Sequence, residues 1–104
     1  TESGAVHLVK IWRGSTTSLR IGLLMAEETA LERDRAALDG LVPGLLPILQ
    51  SEDPVLRGDT ADLLGRIGHQ AARNSLRTLL EDPNPHVAEI ASEALEEIEA
   101  RGAD

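Results

Sequence analysis

The chain has 104 residues, 41% apolar and 27% charged, which suits one small globular domain and leaves little room for a second. It has no cysteine and no apolar run near the roughly 20 residues that span a bilayer, so disulfides, thiolate metal sites and a membrane helix are excluded; a reducing compartment, the cytoplasm, fits. The formal net charge is -8, with residues 1–80 nearly balanced and residues 81–104 holding eight acids against the single base Arg101, which argues against nucleic-acid and membrane-surface binding and leaves a basic protein partner open.

One Trp, no Tyr and no Phe make a core of Leu, Ile, Val and Ala, which suits packed helices better than a β-sandwich. In residues 4–13, Ala5, Leu8, Val9 and Trp12 follow the i, i+3, i+4, i+7 spacing of one helix face, so a short helix ending at Gly14 is expected; a strand reading puts Lys10 on the apolar side. Ser15 to Ser18 offer N-caps for a second helix with Leu19, Leu23, Ala26 and Ala30 on one face and Leu24 and Leu31 on the next. A charged connection from Glu32 leads to Gly40. A helix from Leu41 to Gln50 takes Pro43 in its first turn, but Pro47 in its interior predicts a kink or a late start. Asp53-Pro54 is an N-cap and first-turn proline for a helix Pro54–Ile67 that ends at Gly68 and buries Leu56, Thr60, Leu63, Leu64 and Ile67. The plan then recurs: a helix from about Ala71 to Glu81, Asn84-Pro85 as cap and first turn, and a helix to about Ala100 with Val87, Ile90, Ala91, Ala94, Leu95 and Ile98 as its apolar stripe.

The recurrence is periodic. A shift of 31 residues lays Leu45 on Leu76, Ile48 on Leu79, Leu49 on Leu80, Pro54 on Pro85, Leu56 on Val87, Leu64 on Leu95 and Ile67 on Ile98. A shift of 37 brings the first pair into the same scheme, with Trp12 on Leu49 and Leu23 on Thr60, although Glu27 on Leu64 breaks it. Fixed periods of this size mark stacked repeats, since one helix pair cannot bury its own stripe and about three pairs can. The division expected is a single domain, 1–104, of three units over 4–40, 41–71 and 72–101.

Asp53-Pro54-Val55-Leu56-Arg57 through Leu64-Gly65-Arg66-Ile67-Gly68, echoed by Asp82-Pro83-Asn84-Pro85-His86-Val87 through Ala94-Leu95, resembles HEAT repeats, in the short form also seen in phycobilisome-lyase-like proteins. The resemblance implies an all-α fold, a short right-handed solenoid, and a scaffold that binds a protein partner on a concave face lined by the second helices. The polar residues it puts there are Arg20, Arg57, Asp59, Asp62, Arg66, Glu89 and Glu93. Asn84 stands where Asp53 stood and Ala88 where Arg57 stood, so a polar ladder from those positions is incomplete.

No catalytic or cofactor constellation is present: there is no nucleophile elbow, no phosphate-cradling glycine loop and no Cys or paired-His metal motif. His86, Glu89 and Glu93 share a helix face at i, i+3, i+7 and could ligate a metal, but the same spacing describes a solvated helix start with acids near the positive end of the dipole, and no metal is expected. His69 reads as a turn residue. Trp12 reads as core, with an N-terminal partner contact as the rival reading. The acids of Glu93–Glu99 read as the polar outer face of a terminal cap. Two other functions fit the sequence. A start at Thr1 and an apolar first pair suit a C-terminal accessory domain whose larger enzyme, bilin-lyase-like or redox, supplies an upstream domain. The same apolar face suits a self-associating homodimer.

Overall fold

The structure, a computed structural model, describes residues 4–14 and 39–102. The expected helix over Ser18–Leu31, and Arg20 with it, lies outside the described residues, as do the first unit's limits at 4 to 40 beyond α1. Among the described residues every regular element is helical. Helix α1 spans Gly4–Gly14, α2 Val42–Leu45, α3 Pro54–Ile67, α4 Arg73–Leu79 and α5 Pro85–Gly102; 3-10 helices cover Leu46–Gln50 and Gln70–Ala72.

Residues 4–14 are helical, as the spacing predicted, but Gly14 is the last helical residue rather than a cap beyond the end. The expected single helix Leu41–Gln50 is instead one α-turn followed by a 3-10 segment. Pro47 is the cause: it has no N–H to offer the carbonyl of Pro43, and its ring crowds that turn, so the tighter winding takes over. The next first helix is likewise shorter than expected. It begins as a 3-10 turn whose cap is the ring of His69, where Nδ1 accepts from the Ala71 N–H at 3.0 Å, and becomes α-helical only at Arg73.

The two long helices start by a shared device. The Asp53 carboxylate accepts from the Val55 N–H at 2.9 Å, and the Asn84 amide oxygen accepts from the N–H groups of His86 and Val87 at 2.9 and 3.3 Å. The capping residues are themselves held. The Asp53 N–H donates to the Ser51 hydroxyl at 3.2 Å, and the Asn84 N–H donates to the Asp82 carboxylate at 2.9 Å. Ser51 and Asp82 stand 31 residues apart, as do Asp53 and Asn84, so the period extends to the turn chemistry. Gly68 closes α3 with φ 75°, a left-handed conformation open to glycine, and its N–H reaches the Leu64 carbonyl at 3.0 Å.

The core is one cluster. Leu45, Leu64, Ile67, Leu76, Val87 and Ile98 are fully buried, and the stripes read from the sequence on α3 and α5 face it. The long helices lie side by side, and small residues set their spacing. A Cβ built on Gly65 would stand 2.7 Å from both Cα and Cβ of Ala94. One repeat correspondence fails: Leu49 is 3% exposed but Leu80 is 43% exposed. Ser75, Thr78 and Leu79 of α4 lie around Leu49, whereas among the described residues no helix follows α5 to do the same for Leu80.

Candidate functional site

The surface of interest is the outer side of the α3–α5 pair. Asp59, Asp62 and Arg66 project from α3, each half-buried, and Glu89 and Glu93 are exposed on α5. Arg66 Nε donates to Asp62 Oδ1 at 3.3 Å, an i, i+4 pair along α3. The ridge of α5 that faces it carries Glu93, Glu97 and Arg101. The Glu97 carboxyl is pushed above the ordinary carboxylate value of 4.5 by desolvation, then by the charge of Asp62 across the seam, with Glu93 adding to it; Arg66 and Arg101 oppose the shift. Five charged groups from two helices therefore share one electrostatic neighbourhood. Asp62, Arg66 and Glu93 were among the residues singled out in the sequence. Glu97 and Arg101 were recognisable there only as an i, i+4 pair on one helix.

Arg57 is different and is corrected here. It does not stand out from the second-helix face as a contact residue. Its Nε and Nη2 donate to the two carboxylate oxygens of Asp82 at 2.9 Å each, and Nη1 donates to the Ser51 carbonyl at 2.8 Å. The side chains of Arg57 and Asp82 are 13% and 6% exposed. The guanidinium ties the turn before α3 to the turn before α5 in a two-pronged geometry that lysine cannot reproduce. The carboxyl of Asp82 is held below its ordinary value of 3.8, chiefly by its hydrogen bonds from Arg57, with burial opposing and the Asn84 N–H assisting. Ala88 stands 31 residues after Arg57, so the clamp has no second copy.

Trp12 is 4% exposed, and its Nε1 donates to Thr60 Oγ1 at 2.8 Å in a fully buried bond. The ring is thus turned inward, joining α1 to α3, and is not offered to a partner at this surface. The core reading of Trp12 is the one the geometry favours, and the bond gives the buried Thr60 hydroxyl its partner. Near the other end of α5, Gln70 Nε2 donates to the Ile98 carbonyl at 3.2 Å, and Arg73 reaches Gln70 Oε1 at 3.2 Å and Glu99 at 3.6 Å, so polar groups of the preceding turn meet the carbonyl end of the helix. Among the described residues no three His, Asp or Glu side chains gather closely enough to hold a metal ion, and His86, Glu89 and Glu93 stay a solvated helix start. No described helix is long and apolar enough to cross a membrane.

What this arrangement can do is bind. It is a rigid two-helix surface with charges of both signs, without a nucleophile, a base or an enclosed pocket among them. A family model described as HEAT repeats matches residues 42–103, which takes in both long helices and the turns that precede them. No curated protein matches the chain.

Proposed function

This chain belongs to the HEAT-repeat family, and on that premise we propose that it is a non-catalytic protein-interaction module. HEAT repeats generally mediate contacts between proteins. The partner is read as lying along the face of the second helices, the concave side of a short right-handed stack with units near 4–40, 41–71 and 72–101. The observation that carries this reading is the charge neighbourhood across the α3–α5 seam. Asp62 and Arg66 on one helix and Glu93, Glu97 and Arg101 on the other stand on a scaffold whose spacing is fixed by glycine-to-alanine contact. A rigid face loses little entropy on binding. The excess of acid over residues 81–104 favours a partner segment rich in Lys or Arg, and a cytoplasmic setting fits the cysteine-free chain.

The test leaves Arg57 alone, since reversing its charge would break the turn clamp and confound the result. Wild type and an Asp62→Lys/Glu93→Lys variant are compared as baits, with helicity and melting temperature measured for both. Loss of the wild-type partners from a variant that still folds is the expected outcome. An unchanged set of partners on a folded variant would remove this face from consideration.

A further inference from the structure

A second surface is built from the first helices, on a different part of the molecule from the α3–α5 face. Val9 of α1 rests against Gly44, where a Cβ would stand 2.9 Å from a Val9 methyl. Beyond that close contact α1 and the Val42–Gln50 segment diverge and leave an open cleft of about 360 Å³. Its apolar part is Val9, Pro47 and Ile48; its charged part is Lys10 and Arg13, one helical turn apart on α1. No acid lines it, in a chain whose net charge is -8. The 3-10 helix ends at this cleft, at Gln50, so a helix carbonyl end lies beside the two cations.

We propose that this cleft docks an acidic segment of a protein partner that carries an apolar side chain among its carboxylates. Charge complementarity decides the class. Two cations on one wall and no acid around them attract carboxylates, and Arg13 can meet one with a two-pronged pair. The Val9–Pro47–Ile48 floor adds a place for a leucine-sized group. A carbonyl helix end accepts from peptide N–H groups but repels phosphate, which speaks against a free phosphate or a nucleic-acid backbone. The ligand is opposite in charge to the one read for the α3–α5 face, so the two surfaces select different segments.

The full chain is titrated at low salt with a random Glu–Leu copolymer, following the fluorescence of Trp12, which stands between Lys10 and Arg13 in α1. Poly-glutamate, poly-lysine and inorganic phosphate serve as comparison probes. Binding of the Glu–Leu copolymer, tighter than poly-glutamate and at least about tenfold weaker in Lys10→Gln/Arg13→Gln, is expected. A chain of this net charge repels a polyanion everywhere except at a local cationic site. Arg66→Glu, on the other face, leaves binding unchanged. No binding by wild type, or equal binding by a Lys10/Arg13 variant that keeps wild-type circular dichroism, overturns the proposal. So does full competition by phosphate, which identifies a simple anion site. Concentration-dependent self-association that the same double variant abolishes assigns the cleft to a second copy's acidic helix instead, and likewise overturns it.

Discussion

Replacing Gly65 by alanine is the sharpest test of how the long helices pack. In an isolated helix the change is favourable by about 1 kcal/mol, because alanine loses less backbone freedom than glycine. Here the added carbon would lie 2.7 Å from Cα and Cβ of Ala94, against an ordinary carbon–carbon separation of roughly 3.5–4.0 Å. The atoms it meets belong to the α5 backbone, so no rotamer change relieves the clash and the helices must part by about 1 Å along their shared seam. Overpacking of this kind costs about 3 kcal/mol at its upper range, which leaves a net loss near 2 kcal/mol after the helix gain. For a domain of this size that lowers the melting temperature by about 10 °C. Gly58→Ala is the internal control. Its Cβ would meet only the Cδ1 tip of Ile90 at 3.1 Å and Val87 Cγ2 at 3.8 Å, and Ile90 is half-buried and can swing aside. That variant is expected to be unchanged or stabilised by up to about 1 kcal/mol. Urea unfolding with far-UV circular dichroism reads both. A Gly65→Ala protein as stable as wild type, or Gly58→Ala as damaging as Gly65→Ala, would refute close α3–α5 contact at Gly65 and Ala94.

Three further outcomes follow from single contacts. Asp82→Asn keeps an oxygen for the Asn84 N–H but weakens the charged bonds from Arg57, at a cost of about 2 kcal/mol near neutral pH. Because the folded pKa of Asp82 is depressed, the pair's contribution is complete above the ordinary value of 3.8 and fades as pH falls through the lower folded value, so the gap between wild type and variant should close on strong acidification; a gap independent of pH would contradict the clamp. Thr60→Val removes the acceptor of the Trp12 indole and leaves a buried N–H unpaired, destabilising by roughly 1–3 kcal/mol. With Trp12 as the chain's only aromatic residue, its fluorescence should report unfolding at the same urea concentration as circular dichroism if α1 belongs to the cooperative core, and an earlier fluorescence midpoint would detach it. Glu97→Gln should raise the melting temperature at neutral pH, since desolvation and the nearby acids disfavour the charged form. The advantage should disappear once acid has protonated Glu97 in both states, and a lower melting temperature at neutral pH would show that Arg66 and Arg101 outweigh those acids.

Much of the fold was legible because its information is local. Asp53-Pro54 and Asn84-Pro85 state where the long helices begin, Gly68 states where one ends, and the 31-residue period states that the pairs recur. Pro47 announced trouble in its helix but not the 3-10 winding that resolves it. What sequence reading could not supply is pairing at a distance. Arg57 looked like a surface cation because its partner stands 25 residues away, and Thr60 looked like a tolerated polar residue because the indole that satisfies it is 48 residues away. The turn before each long helix gave one usable signal: Ser51 and Asp82 share the period, and an arginine between two such turns is placed to reach both.

Gly65 also bears on what can adjoin α5. The surface that α3 presents to α5 includes Gly58 and Gly65, small enough for contact with Ile90, Val87 and the backbone of Ala94. Moving forward by one period from Gly58, Ala61 and Gly65 gives Glu89, Ser92 and Glu96, all exposed. A helix laid on α5 as α5 lies on α3 would have to strip water from two carboxylates and clear three longer side chains, a cost that the gain from burying small apolar groups would not meet. At the level of the first helices the same end stays apolar, since Leu80 is exposed where Leu49 is covered. The stack is therefore closed to a further identical pair along its second helices while keeping an apolar contact point at its first, and an element that docks at Leu80 must do so at an angle the internal repeats do not use.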